Sequence, residues 1–198
     1  MVRGQLIARG IAHRRTLAAM AHVPRHLFVP PSLTDAAYDD GPLPVGARQT
    51  ISQPYIVALM TQALDPRRGD RVLEVGTGTG YQTAILARLV REVYTIERLA
   101  ALAETARGRL AGLGLANVMF RVGDGTLGWS EAAPFDGILV TAATPSLPPA
   151  LVGQLAPGGR MYVLFSARAD LDHLRALMEQ ANFRARLASE RSILIDTF

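Results

Sequence analysis

Cysteine and lysine are both missing from this 198-residue chain, and each absence closes a set of chemistries. Without cysteine there are no disulfides, no thiolate zinc sites and no cysteine nucleophile. Without lysine there is no Schiff base, no lysine general base and no Gly-Lys-Ser/Thr phosphate loop. Aromatic residues make up only 6%, with Trp129 the single tryptophan, so an aromatic-interleaved nucleic-acid platform is not expected. No apolar run is long enough to cross a bilayer, and the start lacks a charged segment, apolar stretch and small-residue cleavage site. The resulting expectation is a cytoplasmic protein with no membrane partner.

What is present is a core. Nearly half of the residues (49%) are hydrophobic, and the length suits one domain, read as residues 1–198 with an N-terminal helical addition over 1–60 and an α/β core over 70–198. The formal charge is +4 and every non-histidine cation is arginine. These arginines are dispersed and sit beside acids, as in Arg91-Glu92 and Glu97-Arg98. Solvated helix faces explain them, and nucleic acid is not the expected partner.

The chain is organised around Arg71-Val-Leu-Glu-Val-Gly-Thr-Gly-Thr-Gly-Tyr81. Val72 to Val75 is a short bounded apolar run, and Gln82 to Val90 has apolar residues at helical spacing, so the reading is strand, glycine turn, helix. Glycines at such a turn allow positive φ and bring a ligand close to backbone N–H groups at a helix start. A dinucleotide fingerprint needs G-x-G-x-x-G, but here Tyr81 stands where its last glycine would fall. The spacing Glu74-x-Gly76-x-Gly78-x-Gly80 resembles instead motif I of the class I S-adenosylmethionine-dependent methyltransferases.

Upstream, residues 3–21 carry Leu6, Ile7, Ile11, Leu17 and Met20, consistent with two short helices broken near Gly10. Prolines bound Val23 to Pro30 and favour an extended or turn segment, in which His22 and His26 read as surface or capping histidines. Residues 38–55 read as a long functional loop, at whose end Ser52 would cap a helix beginning near Pro54. Downstream, Val93 to Ile96 is a second strand, and Glu97 stands about twenty residues after the loop, where an acid accepts from ribose hydroxyls. Leu99 to Leu113 is a helix, Val118 to Val122 and Asp136 to Val140 are strands, and Gly123-Asp-Gly125 lies between them.

Val23-Pro-Arg-His-Leu-Phe-Val-Pro30, Leu43-Pro-Val-Gly46, Gln49-Thr-Ile-Ser-Gln-Pro-Tyr-Ile-Val-Ala58 and the glycine loop together resemble the protein-L-isoaspartate O-methyltransferase family. The resemblance covers roughly Leu6 to Arg160. It implies a Rossmann-like, doubly wound, mostly parallel sheet with S-adenosyl-L-methionine as cofactor and isoaspartyl peptides and proteins as partners of a monomeric enzyme. It implies Ser52 as the catalytic residue. For the cofactor it implies Gln49, Thr50, Ile51, Ser52, Glu74, Gly76, Gly78, Gly80, Tyr81, Glu97, Asp124, Gly125 and Thr141, and it implies no metal. Trp129 reads as core. Beyond Arg160 the chain departs from the family, with a strand over Met161 to Phe165, a helix-like Asp170 to Ala181 and a last strand over Ser192 to Thr197. Two other readings stay open on that account: a class I methyltransferase with an RNA or small-molecule acceptor, and a cofactor-binding module without activity.

Overall fold

Strand β3 (Arg71–Val75) lies inside the sheet with a parallel neighbour on each side, and its alternation decides what faces what. Val72 joins the apolar cluster on one face of the sheet, and Leu73 and Val75 join the cluster on the other. That is the two-residue period of a strand buried on both sides. The computed structural model describes residues 1–144, 146–165, 183–189 and 192–197.

The chain opens with helical turns over Val2–Leu6 and Ile7–Arg9, which stop at Gly10 with φ 88°. Helix α1 (Arg14–His22) follows, its first turn capped by the His13 ring, which accepts from the Thr16 N–H. A helical turn at Arg25–Phe28 occupies the proline-bounded segment. The stretch read as a loop contains an antiparallel hairpin of β1 (Leu43–Gly46) and β2 (Gln49–Ile51), turned by Ala47 and Arg48 at φ 50° and 57°. Helix α2 (Pro54–Leu64) then begins, but its cap position is Gln53 and no side chain caps it. The expected Ser52 cap is therefore not made: proline at the first helical position places the cap one residue later.

After β3 come α3 (Tyr81–Ala87), β4 (Glu92–Glu97), α4 (Ala100–Gly112) and β5 (Val118–Val122). Helix α4 ends in paired bonds, Gly114 N–H to Ala111 O and Leu115 N–H to Leu110 O, with Gly114 at φ 70°. This six-to-one and five-to-two pattern closes helices at a left-handed glycine. Strand β6 (Phe135–Thr144), the short α5 (Pro149–Val152) and β7 (Leu155–Phe165) continue, and β8 (Phe183–Ser189) and β9 (Ser192–Thr197) close the sheet.

The order across the sheet is β5-β4-β3-β6-β7-β9-β8. The first five strands are parallel, and β9 pairs antiparallel with both β7 and β8. This is the expected Rossmann-like sheet, and the tail supplies its last two strands. The helix expected over Asp170 to Ala181 lies outside the described residues. Chain direction across the sheet reverses between β3 and β6, which opens a crevice over the carboxyl ends of those strands.

The N-terminal addition is packed into the larger core. Leu6, Met20, Phe28, Val57 and Met60 share one cluster with Val72, Ile85, Leu139 and Tyr162. Phe28 is fully buried, edge-on to Tyr81 at a centroid distance of 5.4 Å. Truncating it as Phe28→Ala should cost about 3–5 kcal/mol in urea unfolding, with far-ultraviolet and near-ultraviolet signals still moving in one transition. Two separated transitions would show that the addition unfolds on its own.

Candidate active site

Over the carboxyl ends of β3, β4 and β6 lies a cavity of about 490 Å³, within the roughly 300–1,000 Å³ usual for ligand pockets. Its floor is the glycine turn. Gly76, Gly78 and Gly80 all have positive φ (101°, 54° and 91°), but for different reasons. A Cβ on Gly76 would stand 2.8 Å from the Thr141 hydroxyl and 3.0 Å from the Ala142 nitrogen, so this glycine lets β3 approach the end of β6. A Cβ on Gly80 would meet Ala106 at 3.2 Å, so this one seats α4. Only Gly78 has open space before it.

Glu97, at the end of β4, is almost entirely buried yet lines the cavity. One carboxylate oxygen accepts from Gly78 N–H at 2.9 Å, the other from Leu99 N–H at 3.0 Å. Each oxygen keeps a second lone pair, which suits it to a vicinal diol. Asp124 accepts from the Thr126 N–H and hydroxyl at 2.9 and 2.8 Å, and these bonds hold its carboxyl below the ordinary range. Gly125 lies so near β3 that a Cβ would overlap Val75, which presses this turn onto the cavity edge. The Thr141 hydroxyl is directed to the Val75 and Gly76 carbonyls, at 2.9 and 2.7 Å, and so braces the loop.

The remaining wall comes from the hairpin: Gln49, Thr50, Ile51 and Ser52 line the same cavity as Glu97 and the glycine turn. Of the residues expected at the site, Glu74 and Gly80 are the two outside its wall. Glu74 shares the face of Val72, and there its Oε2 accepts from Thr83 at 2.5 Å and Thr95 at 2.7 Å. The Thr95 proton is thereby spent, so Thr77, which lines the cavity, donates to Thr95 at 2.6 Å. Burial pushes the Glu74 carboxyl up to about 7, against the two threonine bonds that pull it down. Tyr81 is among the lining residues, while its ring packs on Phe28 and burial pushes its phenol up to about 12. Trp129, expected in the core, is half-buried and packs edge-on to Tyr94 at 5.3 Å against a core cluster, and it is not among the residues of the cavity wall. His22 and His26 bond the Ala18 carbonyl and the Tyr38 hydroxyl at the surface.

Sequence reasoning passed over Gln82. Its Nε2 donates to Thr61 Oγ1 at 3.0 Å, and Thr61 in turn donates to the Val57 carbonyl, which fixes the orientation of the amide. Its Oε1 is buried and has no partner among the described residues, while Gln82 lines the cavity. An unmet acceptor, an open glycine and a diol-ready carboxylate match a ligand with a cationic amino-acid part and a ribose. Among the described residues no cluster of three potential metal ligands occurs.

Fold and cavity together define a class I S-adenosylmethionine-dependent methyltransferase. A family model for protein-L-isoaspartate(D-aspartate) O-methyltransferase matches residues 2–188, so the likeness runs past Arg160 through most of the tail. The chain is 54% identical over 184 residues to a protein-L-isoaspartate O-methyltransferase of Syntrophus aciditrophicus, covering 92% of this chain and 84% of that one. A solved protein-L-isoaspartate O-methyltransferase superposes with TM-score 0.76 at 27% identity, over 96% of this chain and 57% of that longer one. A Plasmodium falciparum chain assigned to the same activity, in complex with S-adenosyl-L-homocysteine, superposes with TM-score 0.72 at 24% identity, over 84% of this chain and 83% of that one. The chain belongs to the protein-L-isoaspartate(D-aspartate) O-methyltransferase family.

The buried Glu74 gives this site a pH signature. Its carboxyl is raised in the folded state, so its contribution is fully present below about 4.5 and is lost as pH rises through about 7. The loss is on the order of 3 kcal/mol. Glu74→Gln removes this titration. The difference in unfolding free energy between wild type and variant should therefore change between pH 4.5 and 7 and level off above, as measured by urea titration at several pH values. A difference independent of pH would show that Glu74 keeps its ordinary pKa.

Proposed function

We propose that this protein transfers a methyl group from S-adenosyl-L-methionine to the free carboxylate of L-isoaspartyl and D-aspartyl residues in damaged proteins, the first step of their repair. The observation that carries this reading is Ser52, which lines one cavity with the glycine turn and Glu97. A donor compartment thus has an acceptor group at its edge. Glu97 would hold the ribose, Asp124 and Gly125 the adenine edge, and Gln82 and the glycine turn the amino-acid end. When bound, the donor supplies an electrophilic methyl on a cationic sulfonium.

The chain's own residues bind and align. A free carboxylate with a pKa of about 3.5–4 is ionised at neutral pH, so the nucleophile needs no base. The Ser52 hydroxyl donates to one of its oxygens and leaves the other directed at the methyl. Attacking carboxylate and sulfonium lose charge together, so a site that excludes water and holds them in line lowers the barrier by positioning. Ile51, Val57 and Met60 supply apolar wall beside Ser52. The β8–β9 hairpin, reaching back along β7, supports the reading that the tail retains a family-like frame for peptide. We read the enzyme as a cytoplasmic, monomeric single domain. Among the described residues no helix is long and apolar enough to cross a membrane.

Incubation with labelled S-adenosyl-L-methionine and an isoaspartyl peptide, beside its normal aspartyl twin, should label only the first. Equal or absent labelling would overturn the reading. In Ser52→Ala, loss of a hydrogen bond to a charged group should lower kcat/KM for the peptide by about 10- to 100-fold. Calorimetric affinity for S-adenosyl-L-homocysteine should fall much less.

A further inference from the structure

A second concavity lies at the opposite ends of the strands. Its volume is about 230 Å³, and its lining includes Arg15, Arg68, Arg88 and His22, with Leu89 and two alanines of α1 between them. Arg15 and His22 come from α1, Arg68 from the turn before β3, and Arg88 from the end of α3. These positions precede β3 and β4, whereas the donor cavity lies beyond them, and the two linings share no residue.

Three arginines line this groove, with no carboxylate among the lining residues. Arg15 is fixed by donating to the Pro66 carbonyl at 2.9 Å and to the Leu89 carbonyl. Two of its five N–H groups are thus spent and three remain. The side chains of Arg68 and Arg88 are exposed and make no hydrogen bond or ion pair among the described residues. His22 donates from Nδ1 to the Ala18 carbonyl, which leaves Nε2 as its outward nitrogen. One anchored cation and two unspent ones thus share a groove whose lining also includes Ala18 and Ala19.

We infer that this groove is an anion-binding site for one or two phosphoryl groups, either as a free inorganic anion or as the terminal phosphates of a small nucleotide. Guanidinium forks match phosphate oxygens in pairs, and Arg15 is pre-ordered to do so. A volume of about 230 Å³ falls below the roughly 300 Å³ at which pockets hold whole drug-sized ligands, so the groove takes the charged end and leaves any nucleoside outside. The site does not depend on the methyl-acceptor assignment.

The test is calorimetric titration of the full chain with inorganic pyrophosphate, repeated on Arg68→Ala/Arg88→Ala. Neither position touches the donor cavity, so calorimetric binding of S-adenosyl-L-homocysteine and the urea-unfolding midpoint report that the variant is folded. Wild type should bind pyrophosphate one to one, and the double variant should bind at least about tenfold more weakly with both controls unchanged. Cytidine diphosphate, which lacks the adenine of the methyl donor, separates the sources. Binding equal to pyrophosphate assigns the site to a nucleotide's terminal phosphates, and its absence assigns it to the inorganic anion. No binding of pyrophosphate, equal binding by the double variant, or displacement of pyrophosphate only by single-stranded RNA would overturn the inference.

Discussion

A carboxyl group held away from water governs how the first parallel strand meets its helix. Glu74 projects from β3 onto the face covered by α3, where Thr83 and Thr95 both give their protons to one of its oxygens. A group of this kind is costly to bury, and it is retained where the bonds it makes define a geometry. Here those bonds join β3 to α3, the two elements that flank the glycine turn, and to the neighbouring strand β4. The turn is thus fixed from below before any ligand enters. Thr77 carries the same network up to the cavity wall, so the wall and the buried carboxyl beneath it are one hydrogen-bonded chain.

From above, the turn is fixed by backbone contact. At Gly76 the end of β3 comes so close to β6 that no side chain fits, and the Thr141 hydroxyl spans the gap to two β3-end carbonyls. Strands β3 and β6 are in register up to Val75 and Val140, and the crevice begins one residue later. A site built where the sheet's connections reverse is therefore rigid on both sides, which a reaction accelerated by alignment requires.

Much of this was legible in the chain itself. The strand, glycine turn and helix around Gly76 and the acid at Glu97 follow from period and spacing, the Asp124 turn is implied by the family resemblance, and all line or support one cavity. Three features were not legible for separate physical reasons. The β1–β2 hairpin turns on Ala47 and Arg48 at positive φ, where the usual Asn-Gly or Asp-Gly signal is missing. The part played by Glu74 hides in a motif that gives spacing but no face; the alternation Val72, Glu74 against Leu73, Val75 carries that information. The convergence of Arg15, Arg68 and Arg88 is a tertiary event, since residues dispersed over more than seventy positions look like a solvated surface until α1 is laid beside α3.

Arg25 shows how the two halves of the site are held as one body. Its side chain is fully buried, donates from Nε to the Ala37 carbonyl at 2.7 Å and lies over the Tyr81 ring with its carbon 4.8 Å from the centroid. Burial lowers its pKa and raises that of Tyr81, so desolvation presses both toward neutrality while their mutual attraction resists. A buried guanidinium with few bonds is a poor source of stability. Its effect is directional: the proline-bounded segment of the addition is tied to the first residue of α3, a residue of the cavity wall. The same addition continues through the hairpin to Ser52. The glycine turn and the Ser52 edge of the cavity are therefore set by one packed unit, and a shift in either would have to carry the buried cation with it.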